Sequence, residues 1–215
     1  ACAPYRRLSV CDYNLEKIST KKNKAKHDLL AEVCMAAKYE GDSIKIHYTP
    51  HQHKYDDSAS QLCTALARSF ADIADIVRGK DLYLGNPQEK EKREQLEKNL
   101  QKIFGNIYKD VTTNGKKGQK SALQTRYEGD TDGNYYKLRE DWWYANRATI
   151  WEAMTCDVKS GSQYFRATCG SSGETPTDDK CRCKGDKPDG DNPNTDPPTY
   201  FDYVPQFLRW FEEWA

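Results

Sequence analysis

Eight cysteines, at positions 2, 11, 34, 63, 156, 169, 181 and 183, constrain this 215-residue chain more than any other feature. They fall into two groups of four, with none between Cys63 and Cys156. An even number in a polar chain points to disulfides and an oxidising compartment. Pairing within each group leaves about nine of the roughly 105 arrangements that eight cysteines allow. Cross-links answer a shortage of core, because only 37% of the residues are hydrophobic, and exchanging the 14 Tyr for the 13 Gly leaves that share nearly unchanged. Ordinary domains sit at about 45–50% on the latter count. Zinc is the rival use, but Cys181-Arg182-Cys183 lacks the two-residue spacing of a knuckle and no second close pair with His completes four ligands. His47, His51 and His53 flank Pro50 in a polar stretch. No metal and no cofactor are expected.

Apolar periodicity is helical throughout. Leu29, Leu30, Val33, Ala36 and Ala37 share one side of a helix over 27–39, which Gly41 is placed to stop. From Ser58, Leu62, Leu66, Phe70, Ile73 and Val77 recur at three- and four-residue steps until Gly79. Asn86-Pro87 reads as an N-cap followed by a first-turn proline; the helix it opens carries Leu96, Leu100, Ile103, Phe104 and Ile107. Leu138, Trp142, Ala145 and Trp151 mark a fourth helix over 134–155. After Pro205, residues Phe207, Trp210, Phe211 and Trp214 mark a fifth. Sustained period-2 alternation is nearly absent, so the expected class is all-α, a disulfide-stapled helical bundle with long polar loops.

Those loops are 110–134, rich in Gly, Lys, Thr and Asp, and 170–199, which holds five of the nine prolines. Neither has an apolar stripe. The expected division is a first subdomain over 1–85 and a second over 86–215. No apolar run reaches the roughly 18–20 residues that span a bilayer, and the opening residues do not form a signal peptide. The chain reads as an internal fragment.

Net charge is zero, yet unevenly placed. Residues 1–27 carry seven Lys/Arg against two acids, and Lys17, Lys21, Lys22, Lys24 and Lys26 follow one another with no acid after Glu16. Residues 170–215 carry ten acids against five bases. Such polarity steers an anionic partner to one end. Lysines just before a helix meet sulfates or phosphates as point charges; Lys116, Lys117 and Lys120 form a second, weaker cluster. Zero net charge and disulfides exclude a nucleic-acid partner.

Catalysis has little to stand on. HExxH, GxSxG, Walker and dinucleotide motifs are all missing. Glu140-Asp141 beside Trp142-Trp143 admits a carboxylate with a raised pKa in an apolar pocket, but acids on the outer face of a helix whose tryptophans turn inward is the simpler expectation. The chain is not expected to be an enzyme.

Longer phrases carry a family resemblance. Cys2-Ala3-Pro4-Tyr5-Arg6-Arg7, Leu29-Leu30-Ala31-Glu32-Val33-Cys34, Ala67-Arg68-Ser69-Phe70-Ala71-Asp72-Ile73 and Leu138-Arg139-Glu140-Asp141-Trp142-Trp143 are four of them. With Tyr200-Phe201-Asp202-Tyr203-Val204-Pro205-Gln206-Phe207, they resemble the Duffy-binding-like domain, alpha class, of the variant erythrocyte membrane protein of malaria parasites. The resemblance implies an all-helical, disulfide-stapled adhesion module without catalysis, in the extracellular part of a membrane protein at the surface of the infected erythrocyte. It implies cytoadherence and rosetting through host cell-surface receptors on erythrocytes or endothelium, among them heparan sulfate, complement receptor and blood-group sugars. Host antibodies and adjacent domains of the same chain are further implied partners, the variable loops being the family's device for immune escape. The family continues into a third subdomain with further cysteines, and a basic segment commonly precedes the equivalent of Cys2.

On charge alone, the expected glycan contacts are Arg6, Arg7, Lys17, Lys21, Lys22, Lys24 and Lys26, with Lys116, Lys117 and Lys120 second. The alternative is a structural spacer that presents a neighbouring receptor-binding domain.

Overall fold

A computed structural model describes residues 2–20, 25–55, 60–113, 122–130, 133–158, 164, 166–169, 173–177, 180–183 and 196–215, with backbone alone at 25–27, 48–55 and 60. The regular elements among these residues are helical, with isolated bridge positions at Cys169, Thr175 and Arg182. Two single turns, α1 (Tyr5–Leu8) and α2 (Tyr13–Glu16), precede the long α3 (Ala25–Tyr55) and α4 (Ser60–Arg78). Then come α5 (Pro87–Thr113), the short α6 (Ala122–Arg126), α7 (Tyr136–Met154), a 3₁₀ turn (Phe201–Tyr203) and α8 (Gln206–Trp214).

Helices α4 and α5 follow their periodicity. Leu66, Phe70, Ile73 and Val77 are fully buried on α4, and Leu96, Leu100, Ile103, Phe104 and Ile107 are buried on α5. The start of α5 is a reciprocal cap. Asn86 Oδ1 accepts from the Gln88 and Glu89 amides at 3.0 and 2.9 Å, while Glu89 Oε2 accepts from the Asn86 amide at 2.8 Å. Two orphan helix donors and the entering amide are thereby satisfied, and Pro87 sits where its missing N–H costs nothing.

Gly41 does not stop α3. The helix continues through it to Tyr55, because Gly41 is where α3 crosses α7: a Cβ there would run into the Met154 carbonyl oxygen. The glycine is a close approach between two backbones rather than a terminator.

On α7 the buried stripe is rotated from the expected one. Trp142 is buried, but Ala145 is exposed, and Trp143, Arg139 and Arg147 turn inward in its place. Phe70 of α4 meets the rings of Trp143 and Trp151 at 5.0 and 5.2 Å, the latter edge-on. Helix α8 differs more. Trp210 is buried at 3% exposure, yet Phe207, Phe211 and Trp214 are at least half exposed. Arg209 sets this rotation: its guanidinium is drawn to the buried Asp72 and Asp75 at 2.8 and 2.6 Å, carrying Trp210 inward and the other aromatics out.

A single cluster of buried apolar residues spans position 85, with Leu29, Val33, Phe70 and Val77 packed beside Phe104, Trp143 and Trp151. Helix α3 lies against both α5 and α7. One disulfide also crosses that position. Cys63 pairs with Cys181, 118 residues away, so pairing is not confined within each group of four. Leu62–Val77 pack onto α7, which brings the start of α4 to the segment after α7, and 3D proximity overrides sequence grouping. Cys169–Cys183 is the second bond; Cys2, Cys11, Cys34 and Cys156 are thiols, which corrects the expectation that all eight are bonded.

Described parts of the expected loops are structured. Helix α5 continues to Thr113 and α6 occupies 122–126, both within the 110–134 stretch. Within 170–199, the Cys169–Thr175 bridge and both cysteines of the 181–183 segment tie the chain down.

Candidate functional site

Arg6 and Arg7 are not available to a ligand, which corrects their assignment as glycan contacts. The turn α1 presents them to α4 and the chain beyond it. Arg6 reaches Asp72 at 2.8 Å, donates to Glu213 through Nε and Nη2 at 3.0 and 2.8 Å, and touches Ser69 at 2.9 Å. Arg7, 2% exposed, pairs with Asp81 and lies 4.8 Å over the Tyr83 ring. Both carry their charge into the scaffold.

Lys17 caps α2 and is exposed, its ammonium 4.1 Å from the centre of the Tyr13 ring. Lys26 lies in the first turn of α3, with its side chain outside the described atoms. Lys21, Lys22, Lys24, Lys116, Lys117 and Lys120 all fall outside the described residues. Among the described residues there is no group of three His, Cys, Asp or Glu that would hold a metal. His47 Nδ1 lies 2.7 Å from the Ser43 carbonyl, and the side chains of His51 and His53 are outside the described atoms.

The carboxylates beside the paired tryptophans do not form an acid pocket. Asp141 receives both edges of Arg126, at 2.6 and 2.7 Å, and the Tyr127 hydroxyl at 2.9 Å. The hydrogen bonds from Arg126 hold the Asp141 carboxyl below the usual carboxylate range, the reverse of a raised general acid. Glu140 pairs with Lys80 and Arg78. Inside, Asp202 of the 3₁₀ turn accepts from Arg147 and from the Trp143 indole, and Arg78 donates to the Asp202 carbonyl. The buried polar groups around Asp202 satisfy one another, which fixes elements in place.

Among the hollows that flank α5 are two of contrasting lining. One, of about 300 Å³, lies between the end of α4 and α5. Its charges cancel: Arg93 pairs with Asp81 and lies 5.1 Å over Tyr83, opposite Arg7. The other, of about 560 Å³, runs along the outer side of α5 and is lined by Lys98, Lys102 and Lys109. These three lysines were missed by the local charge pattern, because uncharged residues separate them in sequence. The helical period, not the run of charge, is the signal that collects them.

The Duffy binding domain family model matches residues 1–209. The chain belongs to the Duffy binding domain family. Its helical, disulfide-linked architecture is that of the family's solved members. The NTS-DBL1(alpha-1) domain of the Plasmodium falciparum membrane protein 1 (PfEMP1), varO strain, is 45% identical over the whole chain, with a TM-score of 0.74. The NTS-DBL1-alpha and CIDR-gamma double domain of the same strain's PfEMP1 is 44% identical, again over the whole chain, with a TM-score of 0.76. The ICAM-1-binding DBLbeta domain of another P. falciparum PfEMP1 is 31% identical over 99% of the chain, with a TM-score of 0.65. This Duffy binding domain sequence spans 43%, 27% and 42% of those three solved chains respectively. Among curated proteins there is no match. No described helix is long and apolar enough to cross a membrane.

Proposed function

We propose that this Duffy binding domain is a host-receptor adhesion module of a malaria-parasite protein displayed on the infected erythrocyte. The observation that carries this reading is the 45% identity, over the full chain, to the alpha-class domain of PfEMP1. Its relative in the DBLbeta class is described as ICAM-1-binding, which supports recognition of a host surface protein or its glycans as the family's task. The interior supports a binding scaffold rather than an enzyme: its buried arginines and aspartates are spent on one another.

The finer reading is rosetting, the attachment of uninfected erythrocytes, through heparan sulfate or other red-cell glycans, with complement receptor as the protein candidate. Exposed lysines, Lys17 among them, supply the attraction for sulfated chains. Host antibodies are further partners on this reading.

Beads coated with the oxidised chain test the reading. Adhesion module behaviour means that coated beads collect erythrocytes or endothelial cells and that soluble chain competes them off. A folded chain whose beads collect neither is a spacer for a neighbouring domain, and the adhesion reading falls.

A further inference from the structure

We propose that the N-terminal turn α1, the 3₁₀ turn and α8 dock onto α4 and α7, and leave them, as one cooperative unit coupled through an unbroken series of ion pairs. The inference goes beyond the adhesion reading and does not depend on it.

The series starts at Arg6 of α1, whose Nη1 meets Asp72 Oδ2 at 2.8 Å. Asp72 Oδ1 accepts from Arg209 Nη2 of α8 at 2.8 Å, and the same nitrogen donates to Asp75 Oδ2 at 2.6 Å. Asp75 Oδ1 accepts from Arg78 Nη2 at 2.8 Å, and that nitrogen also donates to the Asp202 carbonyl of the 3₁₀ turn. The Asp202 carboxylate ends the series on Arg147 of α7. Four side chains therefore stand between Arg6 and Asp202.

Helix α4 is the rail. Asp72, Asp75 and Arg78 lie three residues apart, so they step along about 9 Å of one side of it. Asp72, Asp75, Arg78, Arg147, Asp202 and Arg209 are each at most 5% exposed. Arg6 stands at the edge, and Glu213 of α8 takes its remaining donors at 3.0 and 2.8 Å. Four arginines thus face three aspartates and Glu213, and the set is neutral when complete.

Sharing makes release all-or-none. If α8 lifts alone, Asp72 and Asp75 lose the cation between them while they remain buried one turn apart. If α1 lifts alone, Asp72 loses one of its two arginines and Glu213 loses its own. Leaving a buried charge without its partner is strongly unfavourable, and a network in a low-dielectric interior raises that cost. States with one part released are therefore disfavoured against states with all docked or all free. Hydrogen bonds to backbone join the same parts: the Trp214 indole donates to the Cys2 carbonyl at 2.9 Å, and Arg209 Nη1 to the Val204 carbonyl at 2.6 Å.

The far end of the series reaches the surface. Tyr200 and Tyr203 flank the 3₁₀ turn and are exposed, with ring centres 4.7 and 5.7 Å from the Arg147 guanidinium; Arg78 lies 5.1 Å from Tyr203. A partner that holds α1 and a partner that holds these tyrosines stabilise the same docked state, so each favours the other.

Hydrogen exchange of the oxidised chain in rising urea tests this without any substitution. The amides of Leu8 and Ser9, of Tyr203 and Val204, and of Arg209 should share one opening free energy, below that of the Ile103 and Phe104 amides in α5. Arg6→Gln should then speed exchange at Tyr203 and Val204 about tenfold or more, and Asp202→Asn should do the same at Leu8 and Ser9, with the α5 amides within about twofold of the parent. A parent whose α1 amides open independently of the 3₁₀ turn overturns the proposal. So does acceleration confined to the substituted end, or equal acceleration in α5, which marks unfolding of the whole molecule. Where a variant fails to fold, the exchange profile of the parent decides alone.

Discussion

Arg147 holds Asp202 with two edges of its guanidinium, Nε to Oδ2 at 3.0 Å and Nη2 to Oδ1 at 2.7 Å, and the Trp143 indole donates to the same Oδ2 at 2.8 Å. Both partners are buried. This pair fastens the 3₁₀ turn, and with it α8, onto α7 and α4. Asp202→Ala strands a buried cation and an indole N–H, so it should cost about 3–5 kcal/mol. Arg147→Met/Asp202→Leu removes both charges together and should cost less than Asp202→Ala alone. Denaturant unfolding of the parent and the two variants checks the order.

Gly41→Ala separates two effects of opposite sign. Helix propensity alone predicts a gain of about 1 kcal/mol from replacing glycine inside α3. The methyl would meet the Met154 carbonyl oxygen, a backbone atom that has no rotamer to escape through. The expected result is a loss of about 1–3 kcal/mol, read as a lower melting temperature. A stabilised variant would show that α3 and α7 do not approach closely there.

The cysteines should sort by environment. Peptide mapping without reduction should recover Cys63–Cys181 and Cys169–Cys183. Burial, with Glu40 beside it, pushes the Cys11 thiol up to about 12, while Cys2 is exposed. Since the thiolate is the nucleophile, alkylation of the native chain at pH 8 should label Cys2 well before Cys11. Opening the 118-residue loop with Cys63→Ala/Cys181→Ala should cost about 2–5 kcal/mol.

Acid should weaken the fold through Asp72. Burial disfavours its charge, but the guanidinium groups of Arg6 and Arg209 overcome that and hold the carboxyl below its usual range. Asp141 is lowered too, by its hydrogen bonds from Arg126. A depressed carboxyl contributes stability that is fully present above its unfolded value near about 4 and is lost as pH falls through the folded one. Melting temperature attributable to Asp72 should therefore be flat from pH 7 to about 5 and fall below about 4; in Asp72→Asn that acid-dependent part should shrink.

What was legible in the sequence was local. The stripes of α4 and α5 and the Asn86-Pro87 cap depend on neighbours within a few residues, and the periodicity shows them directly. Gly41 was not legible, because a stop and a close approach look alike until the other backbone is present. Arg6 and Arg7 looked like surface charge because their partners are distant in sequence, Glu213 for Arg6 and Asp81 for Arg7. The aromatics of α8 looked like core because apolarity alone does not set a helix's rotation; the pull of Asp72 and Asp75 on Arg209 does. At the candidate site, the lysines of α5 are separated by uncharged residues in sequence and share a face only when the helix is formed.

Binding of fluorescent chain to intact erythrocytes, oxidised against reduced and alkylated, tests the central claim most directly. If this Duffy binding domain is an adhesion module held in shape by its cross-helix disulfide and buried ion pairs, the oxidised chain binds saturably and the reduced chain loses most of that binding. Absence of saturable binding by a chain shown to be folded and oxidised would contradict it.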